Sequence, residues 1–178
     1  MQQAAPTLTR ASDLTLIGVA GLFAVVDVVI WATDPVVDTG RLTLSIAFLV
    51  PCLGALAMVA VAIRRRRLKL ALLVVAGAGI LLTLISWTIG TSLPPSFTAL
   101  FALVLLTIGV SRYAPLRTAV LLTIVAAVAV AAEALRPMVA AAAYLLVVSQ
   151  AAFTFAVGVG VYLRWSDWRR GAVAEAAR

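Results

Sequence analysis

The chain has 178 residues, of which 64% are hydrophobic and 12% are charged, and its mean hydropathy is +1.14. One soluble core of this size cannot bury so many apolar side chains, which excludes a water-soluble globular domain. The net charge of +7 does not indicate a nucleic-acid partner, because Lys and Arg stand in short clusters between apolar runs, as membrane topology requires. We therefore predict a multi-pass protein of the cell inner (plasma) membrane, surrounded by membrane lipids.

Six apolar runs are separated by short polar or proline-containing breaks. A hydrocarbon core about 30 Å thick is crossed by about 20 helical residues, and all runs except the shorter fourth one approach that length. The sequence thus predicts an all-α integral membrane bundle of six transmembrane helices with short loops. The predicted spans, within a few residues, are 14–32, 42–63, 70–90, 97–111, 116–134 and 138–163. Residues 1–13 precede them without a cleavable signal pattern, and residues 164–178 follow them.

The positive side chains predict the orientation. If the N-terminus is cytoplasmic, 12 of the 14 Lys and Arg fall on the cytoplasmic side, and only Arg41 and Arg136 fall outside. Both termini are therefore predicted in the cytoplasm. The cluster from Arg64 to Arg67 with Lys69 is interpreted chiefly as a topology determinant and partly as an anchor for anionic lipid headgroups. Docking of an acidic partner is the alternative.

The sequence contains no catalytic pattern. It has no histidine, which excludes Ser-His-Asp triads and His-containing zinc sites, and no P-loop. We predict no catalytic residue, no cofactor and no metal site, and we do not expect an enzyme. Gly77, Gly79, Gly158 and Gly160 lie in apolar runs, where small residues usually mark close helix packing.

Asp27 is the one charged residue placed well inside a predicted span. It lies about 7 Å below the outer boundary, where a carboxylate facing lipid is costly, so we expect it to face the bundle. It is either a sensing or ligand-binding acid, which changes its protonation or pairs with Arg41, or a structural hydrogen-bonding group. In the second case Ser86, Trp87 or Thr88 would hold it.

Glu133 and Arg136 flank the predicted outer turn between the fifth and sixth spans. With Asp34, Asp38 and Arg41 they form a small charged outer rim. Most such rims consist of solvated loop residues, but Arg41, Glu133 and Arg136 are also candidate sensing residues. The outer loops are too short to fold into a ligand-binding domain, so we expect any stimulus from the membrane, its outer surface or another membrane protein.

Pro51 is a candidate hinge. It stands in the middle of the predicted second span, where it removes a helical hydrogen bond and is predicted to kink the helix. Most kinks of this kind are static packing features, and that alternative stays open.

The C-terminal sequence GVGVYLRWSDWRRGAVAEAAR predicts a helix that leaves the membrane. Trp165 and Trp168 are the expected aromatic anchor of this helix at the inner interface, and AVAEAAR favours helix beyond them. A 4-3-4 spacing places four residues on one stripe, as the start of a dimeric coiled coil requires: Val161, Trp165, Trp168 and Ala172. The pattern predicts a transmitter helix and a homodimer formed through it.

Short-looped spans that end in YLRWSDWRRGAVAEAAR resemble the N-terminal membrane region of actinobacterial sensor histidine kinases of the DesK/NarL type. The resemblance implies a sensor domain of a two-component system, which passes a membrane or extracytoplasmic stimulus through its last helix. The implied partners are a cytoplasmic kinase module and a response regulator. The chain has no phosphoacceptor histidine and no ATP-binding motif, so no catalytic residue of that family is assigned here.

Two other classes stay open. Six spans in 178 residues also resemble the substrate-binding membrane subunits of energy-coupling-factor vitamin transporters, and Ala20 with Ala24 match their A-x-x-x-A pattern. The match is weak in a chain so rich in alanine. The other class is a structural membrane-anchor subunit. A sensor needs a continuous helical tail that joins a partner domain, whereas a transporter subunit would tolerate the loss of residues 171–178.

Overall fold

A computed structural model describes residues 10–33, 48–90, 93–135 and 142–176. Their helices are α1 Arg10–Thr33, α2 Leu49–Ile89, α3 Phe97–Tyr113, α4 Leu116–Leu135 and α5 Ala142–Ala176. Helix α2 consists of two apolar arms, Leu49–Arg64 and Arg66–Ile89. The described chain is therefore an all-α bundle of six apolar helical segments, and the prediction of six helices is confirmed.

Three of the described segments are long and apolar enough to cross a membrane, judged by length and composition: Arg66–Ile89, Leu116–Leu135 and Tyr144–Glu175. The other three are shorter: Thr15–Ile30, Leu49–Arg64 and Phe97–Tyr113. Many large apolar side chains face outwards, among them Phe155 at 74% exposure. Several long apolar helices with an apolar exterior suggest a multi-pass membrane protein.

Helix α2 folds back at Arg67, whose φ of −138° and ψ of 51° lie outside the helical region. Residues 49–56 line one groove together with residues 78–85, so the two arms lie side by side and antiparallel. The predicted second and third spans are therefore two helices, as expected. The break between them is shorter than predicted, because helix continues on both sides of Arg67.

Pro51 does not lie in the middle of the described helix. It is the third residue of α2, and in the first turn the missing N–H of a proline costs no helical bond. The irregular backbone inside α2 lies at Arg67. Residues 42–47 of the predicted span fall outside the described residues, and the hinge role stays a prediction.

The contacts between helices show that successive segments alternate in direction. Gly21 lies against Met58 and Asp27 against Gly54, so α1 is antiparallel to the first arm of α2. This alternation places every Lys and Arg of the described ranges at one end of the bundle, which we call the basic end. The opposite end, which holds Asp27 and Glu133, we call the acid end.

Helix α3 is the centre of the bundle, because it packs against all four other helices. Phe23 of α1 stacks on Phe101 with ring centroids 5.2 Å apart, and Leu68 of α2 lies against Gly109. The buried side chains of α3 are Thr98, Ala99, Ala102, Leu103, Leu106, Thr107, Val110 and Ser111. Since α3 also runs from the acid end to the basic end, it connects the two.

Helices α3 and α5 cross at Gly160 without space for a side chain. A Cβ atom there would lie 2.6 Å from Ser111 Cβ and 2.9 Å from the Ile108 carbonyl oxygen. Gly79 is similarly crowded, whereas Gly77 and Gly158 have no atom within 4 Å of the corresponding position. Close packing therefore applies to two of the four glycines of the apolar runs.

We expect Gly160→Ala to lower the free energy of unfolding by about 1–3 kcal/mol, because the backbone of α3 cannot yield as a flexible side chain would. Gly158→Ala is the matched control on the same helix. It should be neutral or stabilising by up to about 1 kcal/mol, since alanine favours helix. Thermal unfolding of both variants in detergent measures the difference, and equal stability would contradict the close crossing.

Candidate functional site

The N-terminus of α3 is capped by Ser96, whose backbone is extended with φ −86° and ψ 109°. Its Oγ accepts a hydrogen bond from Ala99 N at 3.1 Å, as an N-cap serine does. Its own backbone N–H donates to Glu133 Oε2 at 3.0 Å. The first helical bond follows, from Leu100 N to the Ser96 carbonyl oxygen at 3.0 Å.

Asp27 of α1 accepts the remaining donors of this helix terminus. Phe97 N donates to Asp27 Oδ1 at 2.8 Å, and Thr98 N donates to Oδ2 at 3.2 Å. The Ser96 hydroxyl also donates to Oδ2, at 2.8 Å. All backbone N–H groups from Ser96 to Ala99 thus have side-chain partners, and two of those partners are acids on other helices.

Both acids lie inside the bundle, with Asp27 at 2% exposure and Glu133 at 0%. Carboxylates are favourable at a helix N-terminus, because the unpaired N–H groups and the helix dipole are positive there. The hydroxyl of Thr98 is also buried, and within the described chain it forms no hydrogen bond. The site is therefore an enclosed polar cluster in an apolar bundle.

Two glycines of α2 leave room for the acids. A Cβ atom on Gly54 would lie 3.1 Å from Asp27 Oδ2, and one on Gly79 would lie 2.9 Å from Glu133 Oε1. The single hydroxyl hydrogen of Thr83, one turn after Gly79, is shared between the Gly79 carbonyl oxygen at 3.0 Å and the Ala132 carbonyl oxygen at 3.2 Å. The two arms of α2 thus form the wall behind the carboxylates.

The segment Leu93–Pro94–Pro95–Ser96 enters the site as buried, non-helical chain. Pro94 and Pro95 have no N–H, so their burial leaves no donor without a partner. All four residues are buried in the protein.

The structure corrects two interpretations of the acids. The bonds formed by Asp27 come from the start of α3, not from Ser86, Trp87 or Thr88. Glu133 is not a solvated rim residue, because it is completely buried in the last turn of α4.

The other rim residues, Asp34, Asp38, Arg41 and Arg136, lie outside the described residues. Whether Asp27 or Glu133 senses anything stays a prediction. Sequence reasoning also missed Ser96, although a serine directly before an apolar run is a recognisable N-cap signal.

At the basic end, α5 is tied to the end of α3. Arg112 Nε and Asp167 Oδ2 are 2.8 Å apart in a two-bonded ion pair, and Arg164 donates to the Ala114 carbonyl oxygen at 3.0 Å. Beyond these contacts α5 continues through Gly171 to Ala176, so this glycine does not end the helix. The described tail of α5 is a continuous and largely exposed helix.

Trp165 and Trp168, the predicted anchor, are both exposed on this tail. The Arg169 guanidinium lies over the Trp165 ring, 4.1 Å from its centroid. The other two members of the predicted stripe, Val161 and Ala172, are exposed as well. All four side chains of the stripe are therefore exposed.

The groove between the arms of α2 has a volume of about 300 Å³. Its lining is apolar apart from the Cys52 thiol: Leu49, Cys52, Leu53, Leu56, Ala78, Leu81, Leu82 and Ile85. Such a groove suits hydrocarbon and offers no set of hydrogen-bonding groups to a polar substrate. In the described residues, no group of three or more His, Cys, Asp or Glu side chains could hold a metal ion.

No protein-family model, no curated protein and no solved structure matches this chain. A functional interpretation therefore rests on the described contacts. At one end of α3 these are the bonds of Asp27 and Glu133, which we call the buried acid cap. At the other end the Arg112–Asp167 ion pair joins α3 to the exposed tail of α5.

We expect Asp27→Asn to lower the free energy of unfolding by about 2–3 kcal/mol. An amide has one acceptor oxygen, so its NH₂ group must face at least one N–H donor of α3, and the charge-assisted bonds are lost. Thr98→Val is the matched control in the same cluster, since it removes a hydroxyl without a partner and should change stability by less than about 0.5 kcal/mol. Detergent unfolding that ranks the two variants equally would show that Asp27 does not hold α3.

Proposed function

We propose that the chain is a transmembrane signal-input domain, which passes a stimulus from the acid end through α3 and α5 to a cytoplasmic partner. The membrane regions of two-component sensor histidine kinases are the model for this role. The single observation that carries the proposal is the connection of the buried acid cap, through the central helix, to a continuous helix that extends out of the bundle.

Each step of this connection is a described contact. Asp27 and Glu133 hold the start of α3, and the close crossing at Gly160 couples α3 to α5. The Arg112–Asp167 ion pair then joins the end of α3 to the tail. A displacement of α3 at its cap would therefore reach the tail as a shift or rotation of α5. A signal requires two packing states of comparable energy, which these contacts would bias.

The proposed orientation places the basic end, and with it both chain termini, in the cytoplasm. Its support is the gathering of the described Lys and Arg at that end, as the positive-inside rule requires. The stimulus would then act on the outer half of the bundle, where the acids lie. The location that fits this arrangement is the inner membrane of a bacterium.

The proposed partners follow from the exposed stripe on α5. A second copy of the chain would pair along Val161, Trp165, Trp168 and Ala172, as parallel helices do in a dimeric sensor. A kinase module would continue that pair of helices and act on a response regulator. A vitamin-transporter subunit is less well supported, because the described groove is apolar, and it would not need this tail.

Insertions after Trp168 test the transmission step in a fusion of the chain to a cytoplasmic kinase module. Each inserted residue rotates the helix that follows it by about 100° about the helix axis. We expect the phosphorylation output of the kinase to switch or fall according to this rotation when one, two or three residues are inserted. Seven residues, about two turns, should restore the output because they nearly restore the phase. A phosphorylation output that is the same for the insertions of one, two, three and seven residues would exclude signalling through the helix.

Reporter fusions test the orientation independently of any kinase. We expect a cytoplasmic reporter to be active after residue 176 and at the N-terminus, and a reporter that works only outside to be active after Gly90. Fusions after residue 66, in the basic cluster, provide the matched internal control and should behave like the termini. Termini on opposite faces would overturn the proposed arrangement.

A further inference from the structure

The basic side chains of the basic end fall into two groups. Three are engaged in the fold: Arg64 donates to the Val61 carbonyl oxygen at 2.8 Å, Arg164 to that of Ala114, and Arg112 pairs with Asp167. Among the others, Arg66, Arg67 and Lys69 form no hydrogen bond and no ion pair with the described residues. This second group has positive charge that the fold itself does not use.

The turn that carries these cations is anchored by Leu68, which stands between Arg67 and Lys69. Leu68 packs on α3, with its Cδ1 3.0 Å from the position that a Cβ atom on Gly109 would take. Arg67 before it has the non-helical backbone at which α2 folds back. The side chains of Arg66, Arg67 and Lys69 are exposed around this anchored turn. The turn is thus a fixed element that presents three cations.

The basic end also has exposed aromatic side chains of the kind found at a membrane interface. Exposed aromatic rings that are amphipathic accumulate at the headgroup level of a bilayer. Tyr113, Trp165 and Trp168 are all exposed here, and the contacts of Arg112 and Arg164 fix α5 against the end of α3. The three cations therefore lie near the level at which lipid phosphates are found.

The surface next to the cations is apolar. Leu70 and Leu73, which follow Lys69 on the second arm of α2, are 47% and 49% exposed. A ligand that touches both parts needs a negative head and a hydrocarbon chain. A free phosphate would use the cations alone, and an acidic soluble protein would leave the leucines uncovered.

We propose that Arg66, Arg67 and Lys69 bind the phosphodiester headgroup of an anionic phospholipid, whose acyl chain lies along Leu70 and Leu73. Guanidinium and ammonium groups are suitable donors to phosphate oxygens. Of the side chains described at this end, Asp167 and Glu175 are acidic, and Asp167 is already paired with Arg112. The inference rests on the proposed membrane-spanning arrangement and adds a specific lipid partner to it.

The test measures lipid binding by the purified chain in a neutral detergent. Phosphatidylglycerol and phosphatidylcholine are titrated separately, and bound lipid is counted by native mass spectrometry. We expect phosphatidylglycerol to bind more tightly, and its affinity to fall about 30-fold in the R66Q/R67Q variant, or about fivefold for each cation. The single variant Lys69→Gln should lose about fivefold, and it keeps the test valid if the double variant does not fold.

The matched control is R169Q/R170Q, which removes the same charge from the tail at the same end of the molecule. A loss of about twofold or less is expected there, because distant exposed charges are screened. Equal losses of phosphatidylglycerol affinity in the two double variants would overturn the proposal, because they would show only a general attraction of the lipid to the positive charge of this end. Equal binding of the two lipids would also overturn the proposal, and so would full competition by inorganic phosphate. None of these readouts depends on kinase output or on orientation, so the signal-input proposal stands or falls separately.

Discussion

The structure depends on how the start of α3 is satisfied. A helix that begins inside an apolar bundle has backbone N–H groups that water cannot reach, and each unsatisfied group costs several kcal/mol in a hydrocarbon environment. Here every N–H group from Ser96 to Ala99 has a side-chain partner, supplied by Ser96 itself and by Asp27 and Glu133. Two acids from distant parts of the chain are thereby joined to one helix end. Helices α1 and α4 are positioned by the same bonds.

The two ends of α3 are held with different strength. At the acid end the bonds are buried and involve charged or potentially charged groups, for which each bond contributes about 1.5–3 kcal/mol. At the basic end the ion pair is partly solvated, with side-chain exposures of 22% for Arg112 and 42% for Asp167. Such pairs contribute about 1 kcal/mol or less. Helix α3 is therefore held more strongly at the acid end than at the basic end.

The basic side chains at the basic end differ in their contacts. Arg64 donates to the Val61 carbonyl oxygen on the preceding turn, and Arg164 donates to that of Ala114, the C-cap residue of α3. Arg66, Arg67 and Lys69 are not used in this way and remain available to an external anion. Charge alone cannot separate the two groups, since all of these residues lie at the same end of the bundle. Their contacts separate them.

The sequence by itself determined the helical class, the number of apolar segments and the helical nature of the tail. These features follow from local properties, namely hydrophobic length, proline and glycine breaks, and helix propensity. It also predicted that Asp27 faces inwards, because a carboxylate in lipid is unfavourable. Only the tertiary structure decided the partners of that acid.

Asp27, Ser96 and Glu133 are far apart in the chain, and their spacing has no period that would reveal a common site. The burial of Glu133 was likewise hidden, because a residue near the end of a span can point to solvent or into the bundle, and packing decides between the two. The fold-back at Arg67 and the crossing at Gly160 depend on which helices become neighbours. A pattern of apolar residues that is nearly uniform around each helix does not specify neighbours, since membrane helices associate through shape and polar contacts and not through amphipathic faces.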